Sequence, residues 1–537
     1  MRRLSGGLAS AAVLIGVLTV LARIAGFGRT AVFSRTVESG CLSQVYFAAN
    51  QIPNIVFEIV AGGALASMVV PVLAGPIERG ERDVVRRTAS AMLTWVVLAL
   101  VPLSLLVAVT AEPIMRWLLG GDAGPGCVQR DLVSVGTDML VVFAPQILLY
   151  GVAVVLYGVL QAHRRFTIPA TAPLVSSLVV IVAYLLFVPL GADYRLDLAG
   201  LPKNAELTLS VGTTLGVVAL VVCAVAGVRA LRIGFRPSLR FPDGMARRAG
   251  GLAVAGLATV VAQQLATLAV VRLSLQGTGG RGTAGALAEY NYAWAVFLLP
   301  WAILAVPIAT SAFPVLSART GDAGGFDRVT AATTRAVVLV SCLGVAVLVA
   351  VAVPVASLFV HGADTLPYVL SRAILGFAPG LVGYGLVAHL GRVLFACGRG
   401  RASAVAIVTG WLTVLAADLI LVPLAPRAWV VGVLGWGNTI GMTVAGVLLL
   451  AALVRARGRG ALAGLGRVLL TGGLGAVGGA VAGYSTASWI GTGGQVQTGL
   501  SAIASALAAG LGFLVPTLLI DRDGLRAALV GRAARDV

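Results

Sequence analysis

Apolar residues run through this chain in blocks of about 20, the length an α-helix needs to cross the roughly 30 Å hydrocarbon core of a bilayer. Fourteen blocks can be drawn, at about 8–32, 52–74, 89–110, 137–160, 169–190, 208–230, 250–273, 287–313, 334–359, 368–395, 402–424, 430–453, 466–488 and 497–520. The connections between them are short. The pattern predicts an all-α polytopic membrane protein of about 14 transmembrane helices, with no soluble domain.

The charges sort by loop. Arg2 and Arg3 precede the first block, and every second connection after it is rich in arginine. Arg79, Arg82, Arg86 and Arg87 fall in one such connection, and Arg229, Arg232, Arg236, Arg240, Arg247 and Arg248 in another. The intervening loops hold acids such as Asp122, Asp131, Asp193, Asp197 and Asp364. Excess Lys and Arg marks the cytoplasmic side. Both termini, including the tail with Arg522, Arg526, Arg532 and Arg535, are therefore expected on the cytoplasmic side of the cell membrane.

Composition agrees. Of 537 residues 58% are hydrophobic and 11% charged, with a mean hydropathy of +0.98, against about a quarter charged in a soluble domain. The net charge of +18 is spent on topology, so nucleic acid is not an expected partner. Lys203 is the one lysine, a bias that fits a GC-rich bacterial genome. The five cysteines have no metal or redox spacing. Cys41 and Cys127 fall in outer loops, where a disulfide is open and free thiols are the simpler expectation.

The chain repeats itself. APQILLYGVAVVLYGVLQAHRRF from Ala144 matches APGLVGYGLVAHLGRVLFACGRG from Ala378 at a fixed offset of 234 residues, pairing Tyr150 with Tyr384 and Arg165 with Arg399. VVPVLAG at Val69 echoes AFPVLSA at Ala312. Six spans therefore repeat six spans in the same orientation, an arrangement common in transporters. The implied layout is a six-helix bundle over 1–231, a second over 232–456, and two extra helices with a short tail over 457–537. In the thirteenth block Gly475, Gly479 and Gly483 recur every four residues, for close helix packing or for a lipid chain.

A charge at mid-membrane costs roughly 2.5–3.5 kcal/mol on insertion scales and marks a cavity or an ion pair. Arg23, Arg29 and Glu58 sit in the first two blocks, Arg23 and Glu58 at comparable depth and Arg29 close to the outer end. On an ideal helix the two arginines stand about 120° apart; Gly26 and Gly28 between them are expected to break the helix and let both face one anion site. A structural Arg–Glu58 ion pair is the alternative. Arg272 ends the seventh block, to bind the same anion or snorkel to the interface. His389 and Arg392 share a face of the tenth. Asp418 stands alone in the eleventh, a candidate proton or cation site with Asn438 and Thr439 as neighbours, or else a protonated core residue. No catalytic triad, phosphate loop or metal cluster is readable, so no enzyme activity and no cofactor is expected beyond a coupling monovalent cation or the membrane potential.

RIAGFGRTAVFSR from Arg23, NQIPNIVFEIVAGGALASMVVPVLA from Asn50, LYGVLQAHRRFTIPATAP from Leu156 and YNYAWAVFLLPWAILAVPIATSAFPVLSART from Tyr290 resemble the MurJ/MviN family of lipid II flippases, of the multidrug/oligosaccharidyl-lipid/polysaccharide exporter superfamily, as a divergent actinobacterial-type member. The resemblance implies two six-helix bundles around a cavity, alternating access, and an undecaprenyl-diphosphate peptidoglycan precursor as substrate. It also implies that Arg23 and Arg29 line that cavity. Four positions depart from the family pattern. Thr30 and Gln44 stand where it has acids, and Phe57–Glu58 and Ala295 where it has arginines.

A lipid II flippase for cell wall synthesis is therefore the leading expectation, with the lipid-linked substrate and the membrane as partners, cell-wall synthesis proteins as candidate partners, and a monomeric state. Its substrate-binding residues would be Arg23, Arg29, Glu58 and Arg272, and Asp418 its coupling residue. The alternatives are an exporter of another polyprenyl-linked glycan, a cation-coupled drug exporter, or a non-transporting cell-wall scaffold.

Overall fold

The computed structural model describes residues 2–59, 66–120, 127–241, 245–280, 285–360 and 367–520. Asp122, Asp364 and the arginines from Arg522 onward lie outside them, and Arg247 and Arg248 are described only in their backbone. Among the described residues the regular structure is helical, without strands. Twelve helical segments are long and apolar enough to cross a membrane, thirteen counting a bent pair, Tyr368–Phe377 and Gly380–Ala396. They correspond to thirteen of the fourteen expected spans. The remaining one, 52–74, runs across 60–65, outside the described residues.

By contacts the chain divides into two compact units, Met1–Gln264 and Leu265–Val537. The first contains α1 (Arg2–Thr36), α2 (Cys41–Phe57), α3 (Ala66–Glu78), α4 (Arg82–Val109), α5 (Ala111–Leu119), α6 (Gln129–Phe143), α7 (Gln146–Ala162), α8 (Thr167–Gly191) and α9 (Lys203–Arg229). Helix α10 (Met245–Gly280) runs through the boundary. The second contains α11 (Ala286–Pro300), α12 (Val306–Ala318), α13 (Ala323–Phe359), α14 (Pro367–Phe377), α15 (Gly380–Ala396), α16 (Gly400–Leu421), α17 (Val430–Arg457), α18 (Leu465–Ile490) and α19 (Gln495–Ile520).

The internal repeat is visible in how each unit packs. In the first, α9 packs on α8, α7 and α6, and α7 on α3 and α4; in the second, α17 packs on α16, α15 and α14, and α15 on α12 and α13. Each unit also breaks one span at the repeated Ala-Pro. A proline inside a helix removes one N–H and clashes with the preceding turn, so α6 gives way to α7 at Ala144-Pro145 and α14 to α15 at Ala378-Pro379. The second break bends by 42°.

Freed carbonyls in a bilayer need partners from within the protein, and hydroxyls supply them. Thr214 of α9 donates to the Val142 carbonyl (3.1 Å) and Ser104 of α4 to that of Ala144 (2.7 Å). At the second break Thr439 of α17 donates to the Gly376 carbonyl (2.6 Å) and accepts from the Gly380 N–H (3.0 Å). In both units, then, a threonine of the corresponding helix patches the carbonyl two residues before the Ala-Pro alanine.

The two last helices pack on each other and on α13. The α18 glycines are what let them. A Cβ on Gly479 would stand 2.5 Å from the Ala509 carbonyl oxygen of α19, and one on Gly483 would stand 2.3 Å from the Ala350 Cβ of α13. These positions are filled by protein, which decides for helix packing and against a lipid chain there.

Cys41, opening α2, and Cys127, just ahead of α6, form a disulfide with their Cα atoms 5.7 Å apart. The expectation of free thiols is thus overturned. The reason is tertiary: α2 lies against both α5 and α6, which brings together cysteines 86 residues apart in sequence. Nearby, Arg195 joins Glu38 (2.7 Å) and the Thr36 carbonyl (2.8 Å), tying the α1–α2 turn to the α8–α9 connection.

Two outcomes follow from this architecture. Maleimide labelling of the unfolded, unreduced protein modifies Cys223, Cys342 and Cys397, with two further thiols appearing only after reduction. Thr439→Val keeps the side-chain shape but strands a carbonyl and an N–H at the α14–α15 break, costing about 1–3 kcal/mol, read as a lowered thermal midpoint in detergent.

Candidate functional site

Helix α1 runs unbroken over Arg2–Thr36, with Gly26 and Gly28 both in helical conformation. The expected break does not occur, and Thr30 instead donates to the Gly26 carbonyl (3.2 Å), an ordinary one-turn bond. Arg23 and Arg29 therefore keep the roughly 120° separation of a regular helix. Arg23 is exposed, whereas Arg29 is half-buried and lines a cavity of about 100 Å³ inside the first unit.

That cavity is built from five helices, α1, α2, α7, α8 and α9. Phe33 of α1 packs on Tyr46 (4.9 Å between ring centroids), Phe47 (4.8 Å) and Tyr184 (5.0 Å). The Tyr46 hydroxyl lies 2.8 Å from that of Tyr184 on α8 and 2.7 Å from Thr213 Oγ1 on α9. Thr213 gives its own proton to the Leu209 carbonyl (2.7 Å). It must therefore accept from Tyr46, and Tyr46 in turn accepts from Tyr184. The proton order in this chain is set by the helix backbone. Asn50 and Asn54 of α2 and Tyr150 of α7 complete the wall, with the Tyr150 hydroxyl 3.4 Å from Asn54 Oδ1.

Arg29 is thus a fixed cation among phenol, hydroxyl and amide groups. Among the described residues it meets no carboxylate. A guanidinium presents a planar fork of donors that matches phosphate oxygens. Chemically, the cavity can receive one anionic group against the Arg29 guanidinium, within a polar wall whose hydroxyl protons are already committed inside the protein.

Glu58 follows the end of α2, one turn beyond Asn54, and is exposed. It forms no ion pair with Arg23 or Arg29 among the described residues, so the alternative of a locked α1–α2 pair is not what the structure holds. Arg272 is half-buried on α10 and belongs to the second unit. His389 is fully buried, with Nε2 3.1 Å from Thr333 Oγ1. The half-buried Arg392 turns back to the Ala388 carbonyl.

Asp418 has no exposed surface. It lies against the bare backbone of α17, where a Cβ on Gly437 would come within 1.9 Å of its Oδ1. Neither carboxylate oxygen has a hydrogen-bond partner among the described residues, nor does the buried Asn438 Nδ2. Thr439 is committed to the α14–α15 break and does not serve this carboxylate. Tyr290 of α11 is within electrostatic reach. A buried carboxylate without donors is stable only protonated or beside a bound cation, so this position can hold a proton or a small cation.

Of the residues singled out from sequence, the structure places Arg29 on the cavity, buries Asp418 against α17 without a hydrogen-bond partner among the described residues, and leaves Arg23 and Glu58 exposed. Tyr46, Tyr184 and Thr213 were not anticipated. Each is a polar residue in a mostly apolar run, which is a signal, but nothing in the run says that the three converge. Tyr384, the repeat partner of Tyr150, sits instead among Trp301, Phe297 and Trp294 at 5.0, 5.5 and 5.9 Å. The repeated tyrosine has two different surroundings.

The model of the lipid II flippase MurJ family matches residues 33–491, most of the chain. The chain belongs to this family. A probable lipid II flippase MurJ from Rhizobium tropici is 24% identical over 288 residues, which are 54% of this chain and 51% of that protein. A lipid II flippase MurJ from Burkholderia cenocepacia is 25% identical over 179 residues, 33% of this chain and 34% of that protein. The matched part thus spans about half or less of these curated relatives. Among solved structures, an inward closed lipid II flippase MurJ superposes with a TM-score of 0.73 at 17% identity, covering 96% of this chain and 100% of that one. An inward-facing multidrug transporter of the MATE family gives 0.64 at 15% identity, covering 82% and 94%. At these identities the likeness is one of fold, and it marks the family member as an all-helical multi-pass membrane protein.

Tyr46→Phe retains the ring packing and removes the central hydroxyl of the cavity chain. The expected loss is about 1–2 kcal/mol, measured as a lower thermal midpoint, with Tyr46→Leu costing more because the contacts to Phe33 and Tyr184 go as well.

Proposed function

We propose that this protein is a flippase that carries lipid II, the undecaprenyl-diphosphate-linked peptidoglycan precursor, from the cytoplasmic to the outer face of the cell membrane by alternating access. Family membership supports the substrate class. The observation that carries the reading is Arg29, a cation without a carboxylate partner in a polar cavity within a membrane-spanning helix bundle. One phosphate of the diphosphate would meet its guanidinium. Arg23, Glu58 and Arg272 would act along the headgroup's path rather than in this cavity. Solved neighbours of the same superfamily include inward-facing and outward-facing forms, which supports the transport cycle proposed for this chain.

The driving force is assigned to Asp418, as a site for a monovalent cation or proton whose occupancy responds to the membrane potential. Both termini are placed in the cytoplasm. The arginine-rich loops support this, and so does the Cys41–Cys127 disulfide, since disulfides persist on the oxidising side of a membrane and both cysteines fall in loops assigned outside. The layout of two six-helix bundles, 1–231 and 232–456, with an appendage over 457–537, belongs to the same reading, as do a monomeric state and contact with the cell-wall synthesis machinery. Exposed Glu58, where relatives of this pattern have a cation, favours as second reading a different polyprenyl-linked glycan as cargo.

The test is movement of fluorescent lipid II in proteoliposomes, with and without a membrane potential. Arg29→Ala is expected to slow movement about tenfold or more, and Arg29→Lys to recover only part, because a point charge does not replace a planar fork. Asp418→Asn is expected to leave lipid II binding intact while removing the dependence on potential. Wild-type rates in Arg29→Ala would refute the anion-site assignment. Faster movement of another polyprenyl-linked glycan than of lipid II would favour the second reading.

A further inference from the structure

The segment after α9 does not cross straight to α10; it lies extended along α4. The N–H of Arg236 donates to Ser90 Oγ (3.1 Å) and that of Ser238 to Thr94 Oγ1 (3.1 Å), while Trp95 Nε1 donates to the Leu239 carbonyl (3.1 Å). The register has a simple origin. Two residues of extended chain advance about 6.6 Å, and one helical turn from Ser90 to Thr94 about 6 Å, so alternate N–H groups meet successive hydroxyls on one helix face.

Between this strap and α4 lies a groove of about 340 Å³ with an almost wholly apolar lining, formed by Leu93, Val97 and Leu98 on one side and Phe235 and Pro237 on the other. It lies where the arginine-rich start of α4 gives way to its apolar run. Trp95, half-exposed, marks the headgroup level, as tryptophans do at membrane boundaries. Beyond it Leu98 (53% exposed), Leu105 (61%) and Leu106 (58%) continue the apolar face outward. At the other end the rim is cationic. Arg236 lines the groove and is exposed, Arg87 sits one turn before Ser90 on the same face of α4, and Arg232 precedes them on the strap, while Arg240 follows Leu239 at the Trp95 end. Among the described residues none of these four guanidiniums has a carboxylate partner.

We propose that this groove is a binding site for one anionic phospholipid, its acyl chain between the strap and α4 and its phosphate against Arg236 and Arg87. The apolar lining fits a chain, and the unpaired arginines at headgroup depth select a negative headgroup over a zwitterionic one, in the way juxtamembrane basic clusters recruit anionic lipids. The site is separate from the Arg29 cavity and from Asp418. It depends on the proposed orientation only for the leaflet, which would be the cytoplasmic one. Because the strap leads into α10, occupancy by lipid would hold that connection against α4.

The experiment is native mass spectrometry of the full-length protein released from micelles containing equal amounts of phosphatidylglycerol and phosphatidylcholine. The wild type is expected to retain one phosphatidylglycerol. Arg236→Glu, a surface change, should lower that retention roughly tenfold, since it removes one attraction and adds a repulsion. Val97→Trp should lower it by filling the groove, with circular dichroism melting checking that both variants fold. Equal retention of the two lipids, or undiminished phosphatidylglycerol on Arg236→Glu, would overturn the site. So would loss in Arg236→Glu alongside full retention in a folded Val97→Trp, because the lipid would then be held at the surface by charge and not by the groove.

Discussion

Backbone groups inside a bilayer have no water to turn to, and the fold depends on how this chain meets that demand where its helices stop. The two Ala-Pro breaks are the places where the demand is sharpest. Each is closed by a hydroxyl delivered from a neighbouring helix, Thr214 and Ser104 in the first unit and Thr439 in the second. Because the patching threonine must face the break, it fixes the rotation of α9 against α6 and of α17 against α14. The rest of the packing in each unit, α7 and α15 included, is arranged around that contact. A membrane helix gains little from burying apolar surface against other apolar surface, so hydrogen bonds and close backbone approach carry an unusual share of the specificity.

Close approach is the second device. On α18 the glycines at 479 and 483 bring the Ala509 carbonyl and the Ala350 side chain to distances no Cβ could tolerate. On α17 Gly437 does the same for a carboxylate. The same absence of a side chain therefore serves packing in one helix and makes room for a buried ionisable group in another.

Two of the ionisable groups inside the bundle carry the functional reading. Arg29 and Asp418 both lie within membrane segments, and neither is neutralised by an ion pair among the described residues. A structural salt bridge would have cancelled their charge locally. Left uncancelled, one is receptive to an anion and the other to a proton or cation, which is the division of labour that the proposed flippase cycle would use. The Tyr184–Tyr46–Thr213 chain beside Arg29 hands its protons on internally, in a direction set by the α9 backbone, and so fixes the polar wall of the cavity.

Hydrophobic block length, arginine-rich loops and the offset between Ala144 and Ala378 made the span pattern, the repeat and the family legible from sequence, because each is a local or periodic property. The isolated charges at Arg29 and Asp418 were legible for the same reason: they interrupt apolar runs. What the sequence left open were rotations and distances. Gly26 and Gly28 read as a break, yet their helix stays continuous, since glycine permits a kink without requiring one. Whether Cys41 and Cys127 pair was open, with free thiols the simpler expectation, yet α2 lies against α6 and they join. Thr439 read as a neighbour of Asp418, yet its hydroxyl answers a stronger need at the α14 break. Which face a side chain presents depends on every helix packed around it, and that only the tertiary structure decided.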